Sequence, residues 1–320
     1  MIGVIGAGAF GTALAVALGQ EGRNVTLWAR DPAHAAQMAL TRINQTRLPG
    51  IELPMSVTVS ANIDDIWSAK AVLLALPMQG MGDFLHRYAA ALDGSILVAC
   101  CKGIDLVTLR GPCALLENMC PKAVAAMLTG PSFATDIARG LPTALTLACA
   151  DPTKGAALQT LLSTSTLRLY RTTDVTGAEL GGALKNVIAI AAGVAIGAGL
   201  GQSARAALMT RGYGEMVRTA QALGARAETL AGLSGFGDLV LTCGSDQSRN
   251  FRYGCALAKG AAFDPSLTVE GVATAQAMIG VAQTYDLDLP VMAMVAALTL
   301  GKISIADAIH SLLSRPLKQE

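Results

Sequence analysis

Two kinds of hydrophobic pattern divide the chain. In residues 1–172, stretches with helical spacing separate short apolar runs, which fall at residues 2–5, 24–28, 57–60, 71–76, 95–99, 123–128, 143–149 and 167–170. The run at residues 71–76 has no polar alternation, which is typical of a strand buried on both faces of a parallel sheet. Strands that alternate with helices predict an α/β domain with a doubly wound, mainly parallel sheet. Residues 173–320 follow helical spacing only, which predicts an all-α second domain.

The first predicted strand ends in a glycine-rich turn. Gly6, Gly8 and Gly11 fit the pattern G-x-G-x-x-G, and good helix formers follow them. Strand, tight turn and helix, in this order, form the context in which the motif binds a dinucleotide. Gly8 would let backbone N–H groups approach a pyrophosphate at the helix N-terminus. The alternative is a glycine-rich turn without a ligand; we favour dinucleotide binding, and with it a Rossmann-type domain over residues 1–172.

The end of the second predicted strand indicates which dinucleotide binds. An NAD-type site has Asp or Glu at this position, whereas this chain has Arg30, followed by Asp31. A guanidinium group forms a charge-assisted pair with a 2′-phosphate, so Arg30 favours NADP(H), with NAD(H) possible. The alternative is a solvated surface arginine. Asp31 precedes Pro32 and is predicted to cap the next helix.

Composition excludes several classes of partner. Lys and Arg number 24 against 23 Asp and Glu, which leaves no basic stripe for nucleic acid and no polybasic patch for a membrane surface. The seven cysteines have no metal-ligand spacing, and their odd number argues against a disulfide framework. They indicate core thiols in a reducing compartment. Because the chain runs straight into its first strand without a basic leader, we expect a cytoplasmic protein.

One uncharged stretch is nearly long enough to be a membrane helix. Residues 186–204 contain no charged side chain over 19 positions, which is near the lower limit for a membrane span. The uninterrupted apolar run covers only residues 187–200, and Gly193, Gly197 and Gly201 recur four residues apart. We interpret the stretch as a buried helix whose glycines allow close helix packing, not as an integral membrane segment.

A lysine stands at the head of this apolar stretch. Burying Lys185 is costly, and burial would lower its pKa towards a range suited to proton transfer. The alternative is a lysine that extends its amine to solvent at a helix end, and the residues alone leave both open. The three histidines, His34, His86 and His310, all fall on predicted surface helices, so lysine is favoured as the acid or base.

A second polar stretch lies between residues 232 and 250. Asp238 and Thr242 are four residues apart, on one face if the segment is helical, and Asp238 could pair with the lysine. A donor-rich triplet that could bind a phosphate follows at Ser248, Arg249 and Asn250. The alternative for this triplet is a polar loop and helix cap.

Together these stretches resemble the bacterial-type NAD(P)-dependent glycerol-3-phosphate dehydrogenases. The matching segments run in order along nearly the whole chain, at residues 6–15, 27–30, 48–51, 102–104, 130–134, 179–190, 204–208, 210–212, 235–239, 248–250 and 269–272. The Lys-Asn helix and the combination of Gly-Asp-Leu with Ser-Arg-Asn are specific to this family. Asp136, Ser203 and Tyr213 depart from its usual residues, none of them at an implied catalytic position.

The resemblance implies roles for individual residues. It makes Lys185 the catalytic acid/base, assisted by Lys102, Asp238 and Thr242. The implied substrate site consists of Lys102, Gly130, Ser132, Lys185, Asn186, Asp238, Ser248, Arg249 and Asn250. The implied dinucleotide site consists of Gly6, Gly8, Ala9, Phe10, Gly11, Arg30, Lys102, Ala134, Arg249 and Glu270. No metal is expected.

The resemblance also implies a reaction, the reduction of dihydroxyacetone phosphate to sn-glycerol 3-phosphate for glycerophospholipid synthesis. One alternative is another two-domain NADP-dependent hydroxyacid dehydrogenase, although carboxylate substrates fit the Gly-Asp-Leu and Ser-Arg-Asn segments poorly. Another is a non-catalytic NADP(H) sensor, which would have no reason to keep both Lys185 and Asp238. The resemblance and the glycine-faced helices further suggest a homodimer.

Overall fold

The computed structural model describes residues 1–313, so residues 314–320 of the second predicted domain lie outside the described residues. The strands are β1 (Ile2–Ile5), β2 (Val25–Trp28), β3 (Val57–Ser60), β4 (Val72–Leu74), β5 (Ile96–Ala99), β6 (Val124–Thr129), β7 (Thr143–Cys149) and β8 (Leu167–Thr172). The helices that accompany the strands are α1 (Ala9–Gln20), α2 (Pro32–Thr41), α3 (Met81–Leu92), α4 (Pro112–Met119), α5 (Ala134–Ala138) and α6 (Pro152–Leu162). The helices after β8 are α7 (Val175–Gly197), α8 (Gly201–Ala222), α9 (Ala227–Ala231), α10 (Asp238–Cys243), α11 (Arg249–Ala258), α12 (Glu270–Tyr285), α13 (Pro290–Thr299) and α14 (Ile305–Leu313).

All these strands belong to one sheet. Across residues 1–313 its order is β3-β2-β1-β4-β5-β6-β7-β8. The neighbours from β3 to β6 are parallel, and β7 is parallel to β8 but antiparallel to β6. The predicted doubly wound, mainly parallel sheet is therefore confirmed. Strand β7 is the exception to the parallel order. The short α5 between β6 and β7 packs on α1 and does not cross back over the sheet. Strand β7 therefore starts at the edge where β6 ends, and it runs antiparallel to β6.

Local signals at the start of α2 act as predicted. The Asp31 carboxylate accepts the N–H of Ala33 at 3.0 Å, and Pro32 occupies the first helical position, where it has no N–H to leave unpaired. The bend between β2 and α2 is thereby fixed, and the next residue back, Arg30, is left exposed at the carboxyl edge of the sheet.

The part of the chain after β8 is helical and is built around α7. Every residue from Gly177 to Ala195 is buried, mainly against α8, α10, α11 and α12. Glycine allows the closest crossing, because a Cβ on Gly193 would collide with the Phe251 carbonyl of α11. Within residues 1–313 only α7 has the length and composition of a membrane span, and 89% of its apolar window is buried inside the protein. The structure thus agrees with the predicted buried helix.

The carboxyl edge of the parallel strands faces these helices. The glycine-rich turn follows β1, Met78 follows β4, Lys102 follows β5 and Gly130 follows β6. From the opposite side, α7, α10 and the N-terminal ends of α11 and α12 approach the same edge, as the contacts between Lys102 and Asp238 and between Met78 and Glu270 show. Side chains from both parts of the chain therefore meet at one cleft.

Candidate active site

A buried carboxylate bridges two lysines in this cleft. Asp238 opens α10 and is 1% exposed. Its Oδ2 lies 2.7 Å from Nζ of Lys102, and its Oδ1 lies 3.1 Å from Nζ of Lys185. The Lys102 ammonium also donates to the Gly130 carbonyl at 2.9 Å. One carboxylate therefore holds two cationic groups, one from the sheet edge and one from α7.

Burial sets the acidity of Lys185. It lowers the pKa of this amine, which the Asp238 charge raises and the Lys102 charge lowers, and the net pKa is about 8 compared with an ordinary value of 10.5. Because Lys185 is buried in the middle of α7, it is not a lysine that extends to solvent from a helix end. With a pKa of about 8, the amine is mainly protonated at neutral pH and gives up its proton more readily than a solvated lysine does.

Amide side chains tie the elements around the lysines together. Nδ2 of Asn186 donates to the Lys102 carbonyl at 3.3 Å, and Nδ2 of Asn250 donates to Oδ1 of Asn186 at 2.9 Å. Oδ1 of Asn250 accepts the N–H of Gly271 at 3.0 Å. These bonds connect the segment after β5, α7, α11 and α12, so they fix the positions of the helices that line the cleft.

The predicted donor-rich triplet forms the start of α11. Ser248 is the N-cap, and its Oγ accepts the N–H of Phe251 at 3.3 Å and lies 2.9 Å from Oγ1 of Thr242. The Thr242 hydroxyl is thus engaged with Ser248, while the Asp238 carboxylate is engaged with the two lysines. The exposed Arg249 occupies the first helical position, so a cation and a helix N-terminus coincide at the edge of the cleft.

Glu270 and Ser132, which were predicted to bind ligands, also hold the cleft walls in place. Oε1 of Glu270, at the start of α12, accepts the N–H of Met78 at 3.2 Å. Burial raises the pKa of the Glu270 carboxyl, whereas the Met78 N–H and the Arg249 charge lower it. Ser132 donates from Oγ to the Gly130 carbonyl at 3.2 Å, which is the same oxygen that accepts from Lys102.

The glycine-rich turn has the shape that a dinucleotide requires. Gly6 has φ of +108°, and a Cβ on Gly11 would collide with the Gly6 carbonyl. The backbone of the turn therefore requires glycine at both positions. A Cβ on Gly8 would meet no protein atom within 4 Å. The open space before the N-terminus of α1 suits a pyrophosphate, since the N–H groups of Ala9 and Phe10 lie in the first helical turn.

Two further members of the predicted dinucleotide site, Arg30 and Ala134, lie near this turn in the fold. Ala134 begins α5, which packs on α1, and Arg30 follows β2, the strand beside β1. Arg30 is exposed at the same edge as the turn. The structure therefore places the glycine-rich turn, Arg30 and Ala134 along one edge of the sheet, while Arg249 and Glu270 begin helices on the opposite side of the cleft.

Sequence reasoning gave no role to two residues that hold the Lys102 segment. Gln79 donates from Nε2 to the Ile104 carbonyl at 2.8 Å and accepts the N–H of Leu106 at 3.2 Å. Glu179 on α7 accepts the N–H of Cys113 at 2.5 Å. Two features of the sequence could have indicated these roles. Gln79 is a polar residue just after a buried strand, and Glu179 is a charged residue near the start of an apolar helix.

Comparison with known proteins decides the family. The model for the NAD-dependent glycerol-3-phosphate dehydrogenase N-terminus matches residues 1–155, and the model for the C-terminus of the same family matches residues 174–310. The chain belongs to this dehydrogenase family. The resemblance drawn from the sequence is therefore confirmed, and so is the order of a Rossmann-type half followed by a helical half.

Members of the NAD-dependent glycerol-3-phosphate dehydrogenase family match the chain over its full length. The glycerol-3-phosphate dehydrogenase (NAD(P)+) of Cereibacter sphaeroides is 63% identical over 320 residues, which are 100% of both chains. That of Ruegeria sp. is 59% identical over 319 residues, 100% of this chain and 99% of the relative. The crystal structure of glycerol-3-phosphate dehydrogenase from Coxiella burnetii superposes with a TM-score of 0.93 at 32% identity and covers 98% of each chain.

Proposed function

We propose that this chain catalyses the NAD(P)H-dependent reduction of dihydroxyacetone phosphate to sn-glycerol 3-phosphate, and the reverse oxidation. The observation that carries the proposal is the bridge from Asp238 to Lys102 and Lys185 at the edge that also carries the glycine-rich turn. The full-length relatives, which are glycerol-3-phosphate dehydrogenases (NAD(P)+), support the same reaction.

The chemistry of carbonyl reduction assigns a role to each lysine. The nicotinamide cofactor, when bound, supplies a hydride to the carbonyl carbon. Lys185 donates a proton to the carbonyl oxygen, for which a pKa of about 8 is well matched. Lys102 adds positive charge where the oxyanion develops, and Asp238 orients both amines while its charge helps to keep Lys185 protonated.

The substrate phosphate is proposed to bind at the start of α11. Ser248 is the cap, Arg249 contributes a guanidinium group, and the helix dipole favours a dianion at this end. The Asn250 amide is already bonded to Asn186 and to the N–H of Gly271, so its main effect is to hold this helix start against α7. Gly130 and Ser132 would line the opposite wall, next to Lys102.

The cofactor is proposed to lie along the sheet edge. Its pyrophosphate would bind at Gly8 and the first turn of α1, and the 2′-phosphate of NADPH would pair with the exposed Arg30. Ala134, Arg249 and Glu270 would contact the half of the dinucleotide that reaches into the cleft. On this proposal NADPH is preferred, with NADH possible.

Several broader features of the protein are also proposed. We place the domain boundary between residues 172 and 173, a choice supported by the end of β8 at Thr172 and the start of α7 at Val175. The product serves glycerophospholipid synthesis, the protein is cytoplasmic, and it works as a homodimer. The last three features are supported by membership of the family.

A substrate panel tests the proposed reaction against its alternatives. Absorbance of NADPH is followed with dihydroxyacetone phosphate, with a set of 2-oxo and 3-oxo acids, and without a second substrate. Oxidation specific to dihydroxyacetone phosphate, with sn-glycerol 3-phosphate identified as the product, is expected. Faster turnover of a carboxylate would instead indicate a hydroxyacid dehydrogenase, and NADPH binding without turnover would indicate a sensor.

A further inference from the structure

A second buried carboxylate lies on α7, six residues before Lys185. Glu179 is 7% exposed, and its Oε1 accepts the N–H of Cys113 at 2.5 Å. The N-cap of α4 is Gly111, which has no side chain, and its first residue is Pro112, which has no N–H. Cys113 is therefore the first residue of α4 with an N–H to satisfy, and the carboxylate that satisfies it comes from the helical half of the chain.

The surroundings of this carboxylate are closely fitted. A Cβ on Gly111 would lie 2.7–2.8 Å from the Glu179 carboxyl atoms, so a larger residue there would displace the group. Burial raises the pKa of Glu179, the bond from Cys113 lowers it, and the charge of Glu117 of α4 raises it. The net pKa is about 7 compared with an ordinary value of 4.5. The ionised carboxylate gains from its place at a helix N-terminus. Glu179 thus acts as a helix cap that joins the two halves.

The start of α4 is linked directly to Lys102. Residues 100–111 connect β5 to α4, and their centre is folded on itself because Asp105 accepts the N–H of Thr108 at 2.7 Å and donates to the Arg110 carbonyl at 2.9 Å. Ile104 of this segment packs in the core of the helical half. The segment is therefore a stiff piece with two anchors on α7, Asn186 at the Lys102 end and Glu179 at the α4 end.

We propose that Glu179 is a positioning residue for the reaction, because its bond to the start of α4 sets the distance of Lys102 from Asp238 and Lys185. The inference rests on the role proposed above for Lys102. Loss of the bond would leave a buried N–H without its partner and would release one anchor of the segment. Lys185 and Asp238 would stay in place because they belong to α7 and α10.

A double-mutant cycle between Glu179→Met and Lys102→Met tests this inference, because methionine has a similar length but no oxygen to accept the Cys113 N–H. The readout is kcat/KM for dihydroxyacetone phosphate at saturating NADPH, with thermal unfolding as a check of the fold. E179M alone is expected to lower kcat/KM by about tenfold, and in the K102M background by less than about twofold, because the two residues act through one segment. Gly111→Ala, which displaces the same carboxylate without removing it, is expected to show the same coupling.

A similar cap inside the helical half provides the matched control. Glu215 accepts the N–H groups of Val291 and Met292 at 2.7 and 3.0 Å, at the start of a helix that also begins with proline. Glu215→Met, which removes both acceptor oxygens, is expected to lower thermal stability but to change kcat/KM by less than about twofold.

Three results would overturn the inference. They are wild-type kcat/KM in E179M, additive effects of E179M and K102M, and an equal loss of kcat/KM in E215M. If K102M itself kept wild-type kcat/KM, the proposed role of Lys102 would fail as well, which distinguishes failure of the site from failure of the positioning residue.

Discussion

Replacing Asp238 by Asn removes the negative charge that two buried ammonium groups share. The amide has nearly the same shape, so the perturbation is electrostatic. Lys185 then faces Lys102 without the carboxylate that raises its pKa, and its pKa is expected to fall below about 8. Lys185 would therefore lose its proton near neutral pH, and with it the capacity to protonate the substrate.

The cost in stability follows from the same pKa. Removing one partner of a buried ion pair commonly costs roughly 3–5 kcal/mol because a charge is left uncompensated. Here Lys185 can instead be deprotonated. With a pKa of about 8, this costs about 1.4 kcal/mol at pH 7, from the value of about 1.36 kcal/mol per pH unit. The contribution of Lys185 to the destabilisation is therefore expected to be at most about 1.4 kcal/mol at pH 7 and to shrink to about 0.4 kcal/mol at pH 8, where half of this amine is already deprotonated in the wild type.

Two assays test this reasoning. Urea unfolding at several pH values is expected to show that D238N loses less stability as the pH rises towards 8. Loss of the Lys185 proton is expected to make kcat decline at alkaline pH in the wild type, and this decline is expected to start at lower pH in D238N. A destabilisation that is independent of pH, or an alkaline limb at the wild-type position, would refute the reasoning.

A charge-balanced variant is the control for D238N. Asp238→Asn combined with Lys102→Met removes one cation together with the anion, so the charge that lowers the pKa of Lys185 is also absent. The alkaline limb is expected to return part of the way towards its wild-type position. If it stayed where D238N puts it, the lysine–lysine repulsion assigned to this site would be wrong.

Two further predictions concern the cofactor. Arg30→Ala is expected to lower the ratio of kcat/KM for NADPH to that for NADH by about tenfold or more, because a charge-assisted bond to the 2′-phosphate is lost; an unchanged ratio would refute the role of Arg30. Gly8→Ala is expected to weaken NADPH binding, measured by fluorescence titration, with little change in Tm, whereas Gly11→Ala is expected to lower Tm because its Cβ collides with the Gly6 carbonyl. Wild-type affinity in G8A would contradict a pyrophosphate at this turn.

The features that were predictable from the sequence are those with a local signal. The glycine spacing predicted the turn after β1, Asp31 and Pro32 predicted the start of α2, and the chargeless stretch after Lys185 predicted a buried helix. The pairing of Lys185 with Asp238 was also predictable, since a buried lysine needs an acidic partner.

The features that escaped prediction depend on long-range contacts. Lys102 and Asp238 are 136 residues apart, and no pattern in the sequence indicates that Lys102 shares the carboxylate of Asp238. The reversal of β7 depends on where α5 packs, and the cap that Glu179 provides depends on a glycine and a proline in the other half of the chain. Each of these features is determined by a tertiary contact, which local sequence propensity does not indicate.

We propose that Lys185 donates the proton while NADPH transfers a hydride to dihydroxyacetone phosphate. The most direct test is the turnover of Lys185→Ala with dihydroxyacetone phosphate and saturating NADPH, together with its thermal unfolding and NADPH affinity. We predict that kcat falls by roughly 10²–10⁴-fold while the fold and NADPH binding are retained. Turnover close to that of the wild type would contradict the account.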